Sequence, residues 1–300
     1  AAGLARRERK SRCLAERAVP FIDSVIAAGI LRSHPSESFM TSTATAARRW
    51  LAVAFACGLQ AGVWAAELTV SAPSSLTNAF RELGSMFEAA HPGTTVNFNF
   101  GASGALLQQL IAGAPVDVYA SADRETMDQA QQRGLIDAAR RRDIATNRLV
   151  LVVPAGSARV PLQLQDLAGP GYRRVAVGLP ASVPAGRQAR AVLERAGLMS
   201  AVEGRLIATQ NVRQALDYAA RGEVDAAFVY ATDAALLPDK VTVALTLDTP
   251  MQIIYPIAPL VPRRGASAPS AADAASKFID FVLSARAQAV LARYGFGSPE

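Results

Sequence analysis

The sequence predicts an α/β protein of two lobes, in which each lobe is a mostly parallel sheet flanked by helices. Beyond residue 65, short β-rich apolar runs alternate with segments that have apolar residues at helical spacing, and this alternation is typical of parallel βαβ units. A chain of 300 residues, 51% of them hydrophobic, is long and apolar enough for two compact domains. The same composition excludes a disordered or fibrous chain.

The first 65 residues are predicted to be a leader. Residues 1–39 precede a methionine and have no periodic pattern, so we expect a non-structural upstream extension. Residues 40–65 combine a basic start, a short apolar run and a small-residue end, which is the pattern of a secretory signal peptide. A twin-arginine signal at Arg48 and a lipoprotein signal at Cys57 are the alternatives, but the residues around each match those patterns poorly. The exported chain is therefore expected to be residues 66–300, located in the periplasm.

Most of the net charge of +6 lies in this leader. Residues 1–65 carry nine Lys and Arg and four Asp and Glu, a charge of +5, which leaves +1 for residues 66–300. Proteins that bind nucleic acids usually carry a strongly basic surface, and a net charge of +1 does not indicate one. The exported chain is therefore predicted to have no nucleic-acid partner. The run Arg140–Arg142 is interpreted as a solvated face. Both cysteines, Cys13 and Cys57, also lie in the leader, so no disulfide is expected after export.

Three short strands and three helices are predicted for residues 66–147. The apolar residues of the first helix recur at helical spacing, and the helix ends at the breaker cluster His91-Pro92-Gly93. Asp123 precedes the third helix and is expected to be its N-cap. The predicted strands are 68–70, 96–100 and 116–120, and the predicted helices are 76–90, 105–112 and 123–133.

A second set of elements begins with a strand at 149–153 and repeats the alternation. Further strands are predicted at 175–177, 206–208, 226–229 and 241–247, with helices at 186–196 and 212–221. A strand at 253–258 and two helices, starting near Ser270 and Ala285, close the chain. We assign residues 66–147 plus 249–300 to lobe 1 and residues 148–248 to lobe 2. Similar runs at 115–117 and 223–225 support two related lobes.

Four strand-to-helix turns contain no Lys, Arg, His, Asp or Glu, and most of their residues are small, hydroxylic or amide. They are Ser71–Ser75, Gly101–Gly104, Pro180–Gly186 and Gln210–Val212. Ligands of open α/β sheets bind where strands end and helices begin, and the free N–H groups at helix starts can cradle an anion. For any one of Ser74, Ser75 or Ser103 taken alone, a structural N-cap is the favoured interpretation, because serine is a preferred N-cap residue. Four uncharged turns, two in each lobe, favour an anion site formed by these turns.

Several motifs in register, from about Glu67 to Phe296, carry a resemblance to a known family. The motifs are Ala72–Ala79, Phe100–Gly104, Gly113–Val118, Ser121–Asp123, Val183–Gly186, Asn211–Leu216, Phe228–Ala234 and Arg293–Phe296. They resemble the periplasmic molybdate-binding proteins of ABC importers, a family of type II solute-binding proteins. The pair Pro73-Ser74 departs from the pattern, because alanines are common there in relatives.

The resemblance implies the two-lobed periplasmic-binding-protein fold, with the ligand in the interlobe cleft. By position, the ligand-binding residues would be Ser75 and Ser103 of lobe 1, each through its hydroxyl and backbone N–H. Lobe 2 would supply the N–H groups of Ala185 and Val212 and the phenol of Tyr230. Molybdenum would be bound as molybdate through these residues, with no direct metal–ligand bond. A shell of donors without an acceptor favours a fully deprotonated ion over hydrogen phosphate.

The function implied by the resemblance is the capture of molybdate, and of tungstate, for delivery to an ABC permease and its ATPase subunits. The protein would be a monomer with no enzymatic activity, no cofactor and no stable membrane insertion. Sulfate, another small oxyanion or a carboxylate is the alternative ligand. A carboxylate binder would place an arginine in the cleft. Arg187 and Arg213 are candidates, although their positions early in helices predict that they point to solvent.

Two further alternatives have less support in the sequence. The segment Gly101–Ala105 partly resembles the G-x-S-x-G turn of serine hydrolases, but its last position differs, and His91 precedes Ser103 where a hydrolase base would follow it. One histidine and no cysteine beyond residue 65 do not provide a transition-metal site. Asp117 and Asp225 are instead predicted to brace strand ends.

Overall fold

The computed structural model describes residues 66–262 and 269–299, and the predicted leader lies outside the described residues. The strands are β1 Ala66–Pro73, β2 Thr94–Gly101, β3 Val118–Ala120, β4 Arg142–Asn147, β5 Leu149–Pro154, β6 Val175–Gly178, β7 Leu206–Thr209, β8 Ala226–Tyr230, β9 Val241–Leu247 and β10 Ile253–Pro259. The α-helices are α1 Thr77–Ala90, α2 Ser103–Ile111, α3 Arg124–Gln132, α4 Pro184–Arg195, α5 Met199–Val202, α6 Val212–Ala220, α7 Ala231–Ala234, α8 Pro269–Leu283 and α9 Ala285–Arg293. Short 3-10 helices lie at Ser74–Leu76, Ala138–Arg140, Leu164–Ala168 and Glu203–Arg205.

The described strands form two five-stranded sheets with matching topology. The first sheet has the order β2-β1-β3-β10-β4 and the second has the order β7-β6-β8-β5-β9. In each sheet three neighbouring strands are parallel, and one strand, β10 or β5, pairs antiparallel with both of its neighbours. The two-lobed α/β prediction is confirmed. The sheets are mixed, although four of the five strands in each point the same way.

Strand β4 is absent from the sequence prediction. It is an edge strand of the first sheet, and Ile144 and Ala145 are its two buried residues. Its remaining residues are polar, so it shows neither an apolar run nor a clear alternation. The four-residue helices α5 and α7 were also not predicted, because such short segments carry no helical periodicity.

The predicted brace and cap roles are confirmed. Asp117 Oδ2 accepts a hydrogen bond from the Thr69 N–H of β1 at 2.8 Å. In the second sheet, Asp225 Oδ2 accepts from the backbone N–H groups of residues 173 and 174, just before β6, at 2.7 and 2.8 Å. Asp123 is the N-cap of α3 and accepts from the Thr126 N–H. The two carboxylates at equivalent places strengthen the likeness between the sheets.

The helices pack their apolar faces on the sheets. In α1 the buried face contains Phe80 and Phe87, and both rings make edge contacts with Phe278 of α8 at centroid distances of 6.1 and 5.3 Å. The chain passes from the first sheet to the second between β4 and β5 and returns between β9 and β10. Within the described ranges, none of the helices is long and apolar enough to cross a membrane.

Candidate oxyanion-binding site

The five residues predicted to bind the ligand line one cavity. It lies where strands of both sheets end and encloses about 200 Å³, counting the space open to solvent. Its lining is Pro73, Ser74, Ser75, Gly101, Ala102, Ser103, Ala122, Val183, Pro184, Ala185, Val212 and Tyr230. Among the described residues, this lining includes no charged side chain. The cavity therefore offers dipoles and hydroxyls to a ligand, and it contributes no countercharge of its own.

Four of these residues present a backbone N–H at the start of a helix. Ser75 lies in the 3-10 helix after β1, Ser103 is the first residue of α2, Ala185 the second of α4, and Val212 the first of α6. The first N–H groups of a helix have no partner within it. Within residues 66–262 and 269–299, none of these four N–H groups donates to a backbone carbonyl. They are available to an anion, which helix N-termini favour.

The hydroxyl of Ser103 is held by the backbone of the next strand-to-helix turn. Ser103 is fully buried, and its Oγ accepts a hydrogen bond from the Ala122 N–H at 3.0 Å. Its carbonyl accepts from the Tyr119 phenol at 2.7 Å, which anchors the start of α2. The N-cap of α2 is Ala102, and no side chain caps this helix. The N-cap interpretation of Ser103 is therefore wrong.

Ser75 is buried and its Oγ lies 3.0 Å from the phenolic oxygen of Tyr255 in β10. No side-chain cap bond is made at the 3-10 helix that contains it, so the N-cap interpretation is wrong for Ser75 also. Tyr255 was not singled out by the sequence, because it lies in a strand 180 residues away from Ser75. No local signal marks such a contact.

Tyr230 places a phenol in the cavity at the end of β8. The residue is 1% exposed, and its hydroxyl has no hydrogen-bond partner in the part of the chain that the structure describes. Burial raises its pKa well above the ordinary value of 10.0, and the nearby Tyr255, Asp123 and Asp233 add to the effect. The phenol therefore remains protonated and can donate. A buried polar group without a partner is costly, which indicates a site built for a ligand acceptor.

The expectation that Arg187 points to solvent is wrong. Its side chain is 20% exposed, and its guanidinium donates to Asp123 Oδ2 at 2.5 and 3.2 Å and to Thr126 Oγ1 at 2.7 Å. Arg187 belongs to α4 beside the second sheet, whereas Asp123 and Thr126 belong to the turn and helix α3 beside the first. The contact therefore bridges the two lobes.

The same expectation is wrong for Arg213. Its guanidinium is paired with Asp233, donates to Asn78 Oδ1 at 3.0 Å, and donates to the Ser75 carbonyl at 3.2 Å. Since the guanidinium is already engaged, and neither Arg213 nor Arg187 lines the cavity, the geometry does not support the carboxylate-binder alternative.

The Asp233 carboxyl is fully buried next to this arginine. Burial raises its pKa from 3.8 to about 6, against the opposing effect of Arg213. Its Oδ1 pairs with Arg213, whereas its Oδ2 has no hydrogen-bond partner among the described residues. The protonation state of the Asp233 carboxyl is therefore expected to change near pH 6, at a higher pH than that of an exposed aspartate.

The lobes touch directly beside the cavity. The Gly104 N–H donates to the Ser182 carbonyl at 2.9 Å. A Cβ at Gly104 would lie 2.8 Å from both the Cα and the carbonyl oxygen of Ser182, a distance that real Cβ atoms do not show. Glycine is therefore required there for the two lobes to approach as closely as they do.

The arrangement does not fit a hydrolase or a metal site. His91, the candidate base, bonds through Nδ1 to the Phe87 carbonyl at 3.0 Å and stacks on the Phe87 ring. The Ser103 hydroxyl bonds to a backbone amide instead of a base. No cluster of three or more His, Cys, Asp or Glu residues that could hold a metal ion occurs within the described ranges.

The fold and the cleft define a two-lobed binding protein with a pocket of neutral donors between its lobes. A family model described as bacterial extracellular solute-binding protein matches residues 68–297. The chain belongs to this family. Membership confirms that the protein binds a solute and is not an enzyme.

Individual relatives share most of the chain. It is 32% identical over 263 residues to the molybdate-binding protein ModA of Escherichia coli strain K12, covering 83% of this chain and 98% of that protein. A solved substrate-binding domain of a putative molybdenum ABC transporter from Clostridium difficile is 31% identical, with a TM-score of 0.59, over 78% of this chain and 100% of that one. The periplasmic molybdate-binding protein of Azotobacter vinelandii, at 24% identity, a TM-score of 0.65 and the same coverage of both chains, shares the fold.

Proposed function

We propose that this protein captures molybdate in the periplasm and delivers it to an ABC importer. The observation that carries the proposal is the cavity itself. Among the described residues, four N–H groups with no backbone acceptor, two serine hydroxyls and a phenol with no hydrogen-bond partner converge there, and no charged side chain lines it. Relatives named as molybdate-binding proteins, which match most of the chain, support this choice of oxyanion.

The proposed ligand contacts come from both lobes. Ser75 and Ser103 donate through hydroxyl and N–H, Ala185 and Val212 through N–H, and Tyr230 through its phenol. Desolvating a dianion is expensive unless its oxygens are fully hydrogen-bonded. Each bond to a charged acceptor contributes roughly 1.5–3 kcal/mol, so a shell of this size can hold the ion tightly.

Tungstate has the same charge and shape as molybdate and is proposed as a second ligand. Phosphate retains at least one proton at neutral pH, and among the described residues the lining contains no carboxylate to accept it. Sulfate differs from molybdate in size, and its exclusion depends on how closely the donors surround the ion.

Binding is proposed to close the two lobes about the crossovers near residues 148 and 249, so that lobe 1 is 66–147 plus 249–300 and lobe 2 is 148–248. Arg187 and Arg213 bridge the lobes in the closed form, and a permease with its ATPase subunits receives the ion. Export through the signal peptide at 40–65, a monomeric state, and the absence of nucleic-acid binding and of stable membrane insertion complete the proposal.

A thermal-shift panel of molybdate, tungstate, sulfate, phosphate and citrate tests this function. A ligand that binds only the folded state raises the melting temperature in proportion to the logarithm of its concentration over Kd. We expect large shifts with molybdate and tungstate and none with phosphate or citrate. A shift with sulfate alone would assign the protein to sulfate, and no shift with molybdate or tungstate would refute the proposal.

A further inference from the structure

The hydroxyl of Ser75 ends a chain of hydrogen bonds that begins where the polypeptide leaves the first sheet. Asn147 is the last residue of β4, and its Nδ2 lies 3.1 Å from the phenolic oxygen of Tyr255. That oxygen lies 3.0 Å from Ser75 Oγ. Tyr255 is fully buried, so this chain has no competing solvent at its centre.

The direction of every bond in this chain follows from its first residue. Asn147 Oδ1 accepts from the backbone N–H of Arg148 at 2.8 Å. The amide nitrogen must therefore face the other way, and its two hydrogens go to Thr232 Oγ1 at 2.9 Å and to Tyr255. An amide nitrogen donates and does not accept, so the phenolic oxygen of Tyr255 accepts from it.

A phenol has one proton, and in the described part of the chain the other hydrogen-bond partner of the Tyr255 hydroxyl is Ser75 Oγ. Tyr255 therefore donates to Ser75, and Ser75 is left with its own proton to give to the cavity. The phenol keeps its proton because burial and then the nearby Asp233 raise its pKa. Its ring is held in place by edge contacts with Tyr230 and Phe296, at centroid distances of 6.0 and 5.4 Å.

The Ser103 hydroxyl is also left with its proton for the cavity, but for a different reason. Its Oγ accepts from a backbone amide, that of Ala122, so no side chain controls its direction. Two serines of the cavity are proposed to bind the ion. Of these, Ser75 is the one whose hydroxyl direction is set by other side chains, which can be substituted. Neither Asn147 nor Tyr255 lines the cavity, so substituting them removes none of the proposed ligand contacts.

We propose that Asn147 and Tyr255 are positioning residues that make Ser75 a hydrogen-bond donor and thereby select a fully deprotonated oxyanion over a protonated one. The inference rests on the proposed function, since it assumes that Ser75 meets the anion. If Ser75 turned a lone pair to the ligand, a protonated oxyanion would gain an acceptor at Ser75 that the native hydrogen-bond chain does not offer.

The substitution Asn147→Asp reverses the direction of the hydrogen bonds from residue 147 through Tyr255 to Ser75, with little change in side-chain volume. A carboxylate still accepts from the Arg148 N–H, but it has no proton to give, so Tyr255 donates to it and accepts from Ser75. The lone pair of Ser75 then faces the ligand. We expect molybdate affinity, measured by titration calorimetry at pH 7, to fall about 10- to 100-fold. The ratio of molybdate to phosphate affinity should fall at least about tenfold.

The control is the same substitution in a Tyr255→Phe background. The new charge is identical there, but the chain is interrupted, so Asn147→Asp should leave the affinity ratio of Tyr255→Phe unchanged. An equal fall of the ratio in both backgrounds would show that charge alone acts, and it would overturn the inference. An unchanged ratio in Asn147→Asp with Tyr255 present would overturn it too.

Tyr255→Phe provides a test that does not depend on the folding of Asn147→Asp. Without the phenol, Ser75 is free to accept as well as donate, so the molybdate-to-phosphate ratio should fall while the ligand-free protein still melts cooperatively. A folded Tyr255→Phe variant with the wild-type ratio would refute the positioning role. Failure of the wild-type protein to bind molybdate or tungstate is a different result, and it would refute the proposed function instead.

Discussion

Tyr230→Phe removes one hydroxyl that is buried in the cleft and has no partner among the described residues. In the ligand-free closed form a buried unsatisfied donor costs about 1–3 kcal/mol, so its removal does not destabilise that form. With the anion bound, the variant loses one hydrogen bond to a charged acceptor, worth roughly 1.5–3 kcal/mol. The substitution therefore has opposite consequences for the empty and the loaded protein.

The loss corresponds to a molybdate Kd that is roughly 10- to 150-fold higher, because about 1.4 kcal/mol is a factor of ten. Ligand at a fixed saturating concentration then stabilises the folded variant less than the folded wild type, by the same free energy. For a domain of this size, 1 kcal/mol shifts the melting temperature by about 2–4 °C. The molybdate-induced rise should therefore be smaller by roughly 3–12 °C, while the ligand-free melting temperature does not fall.

Titration calorimetry and differential scanning calorimetry measure this free energy independently, and the two values should agree. Tyr172→Phe is the matched control, because Tyr172 is 6% exposed and does not line the cavity. We expect it to leave the Kd unchanged. A Kd within about twofold of the wild type in Tyr230→Phe would be far less than the loss of one such bond and would refute the role of the phenol.

Three further predictions test the site and its surroundings. Ser75→Ala and Ser103→Ala should each weaken molybdate binding about tenfold or more with the fold retained, and unchanged Kd values in both would reject the site assignment. Gly104→Ala forces a Cβ to within 2.8 Å of the opposite lobe, so it should oppose closure by about 1–3 kcal/mol and raise the Kd roughly 5- to 150-fold with little change in ligand-free melting. Wild-type affinity in that variant would show that the contact is not needed for binding. Asp233 has its pKa raised from 3.8 to about 6 by burial, so the folded state holds the proton more tightly and its contribution to stability, present below about pH 4, is lost as the pH rises through about 6. The loss amounts to about 3 kcal/mol, and the free energy of urea unfolding of Asp233→Asn should vary less with pH over this range by about that amount. An identical pH dependence in the variant and the wild type would contradict this account.

The order of strands and helices was largely predictable because each depends on residues close together in the chain. The apolar face of α1, the breaker after it and the Asp123 cap are all local signals. The prediction failed at β4, where a polar edge strand takes its stability from pairing with β10, which is remote in sequence. Pairing of that kind leaves no periodic pattern to detect.

The arginines illustrate a second limit. Position early in a helix predicted solvent exposure for Arg187 and Arg213, yet both reach across to the first lobe. A long side chain can follow several directions from one backbone position, and its direction depends on which carboxylate or carbonyl the other lobe presents.

The sequence by itself determined the alternation of strands and helices, the uncharged character of four turns, and hence the prospect of an anion held by dipoles. Only the tertiary structure decided that these turns meet at one cavity, that the Tyr230 hydroxyl has no hydrogen-bond partner among the described residues, and that Asn147 and Tyr255 orient the Ser75 hydroxyl. The reason is physical. Secondary structure and turn chemistry depend on neighbours within a few residues, whereas the direction of a buried hydrogen bond depends on atoms as far as 180 residues apart that folding brings to within 3.0 Å.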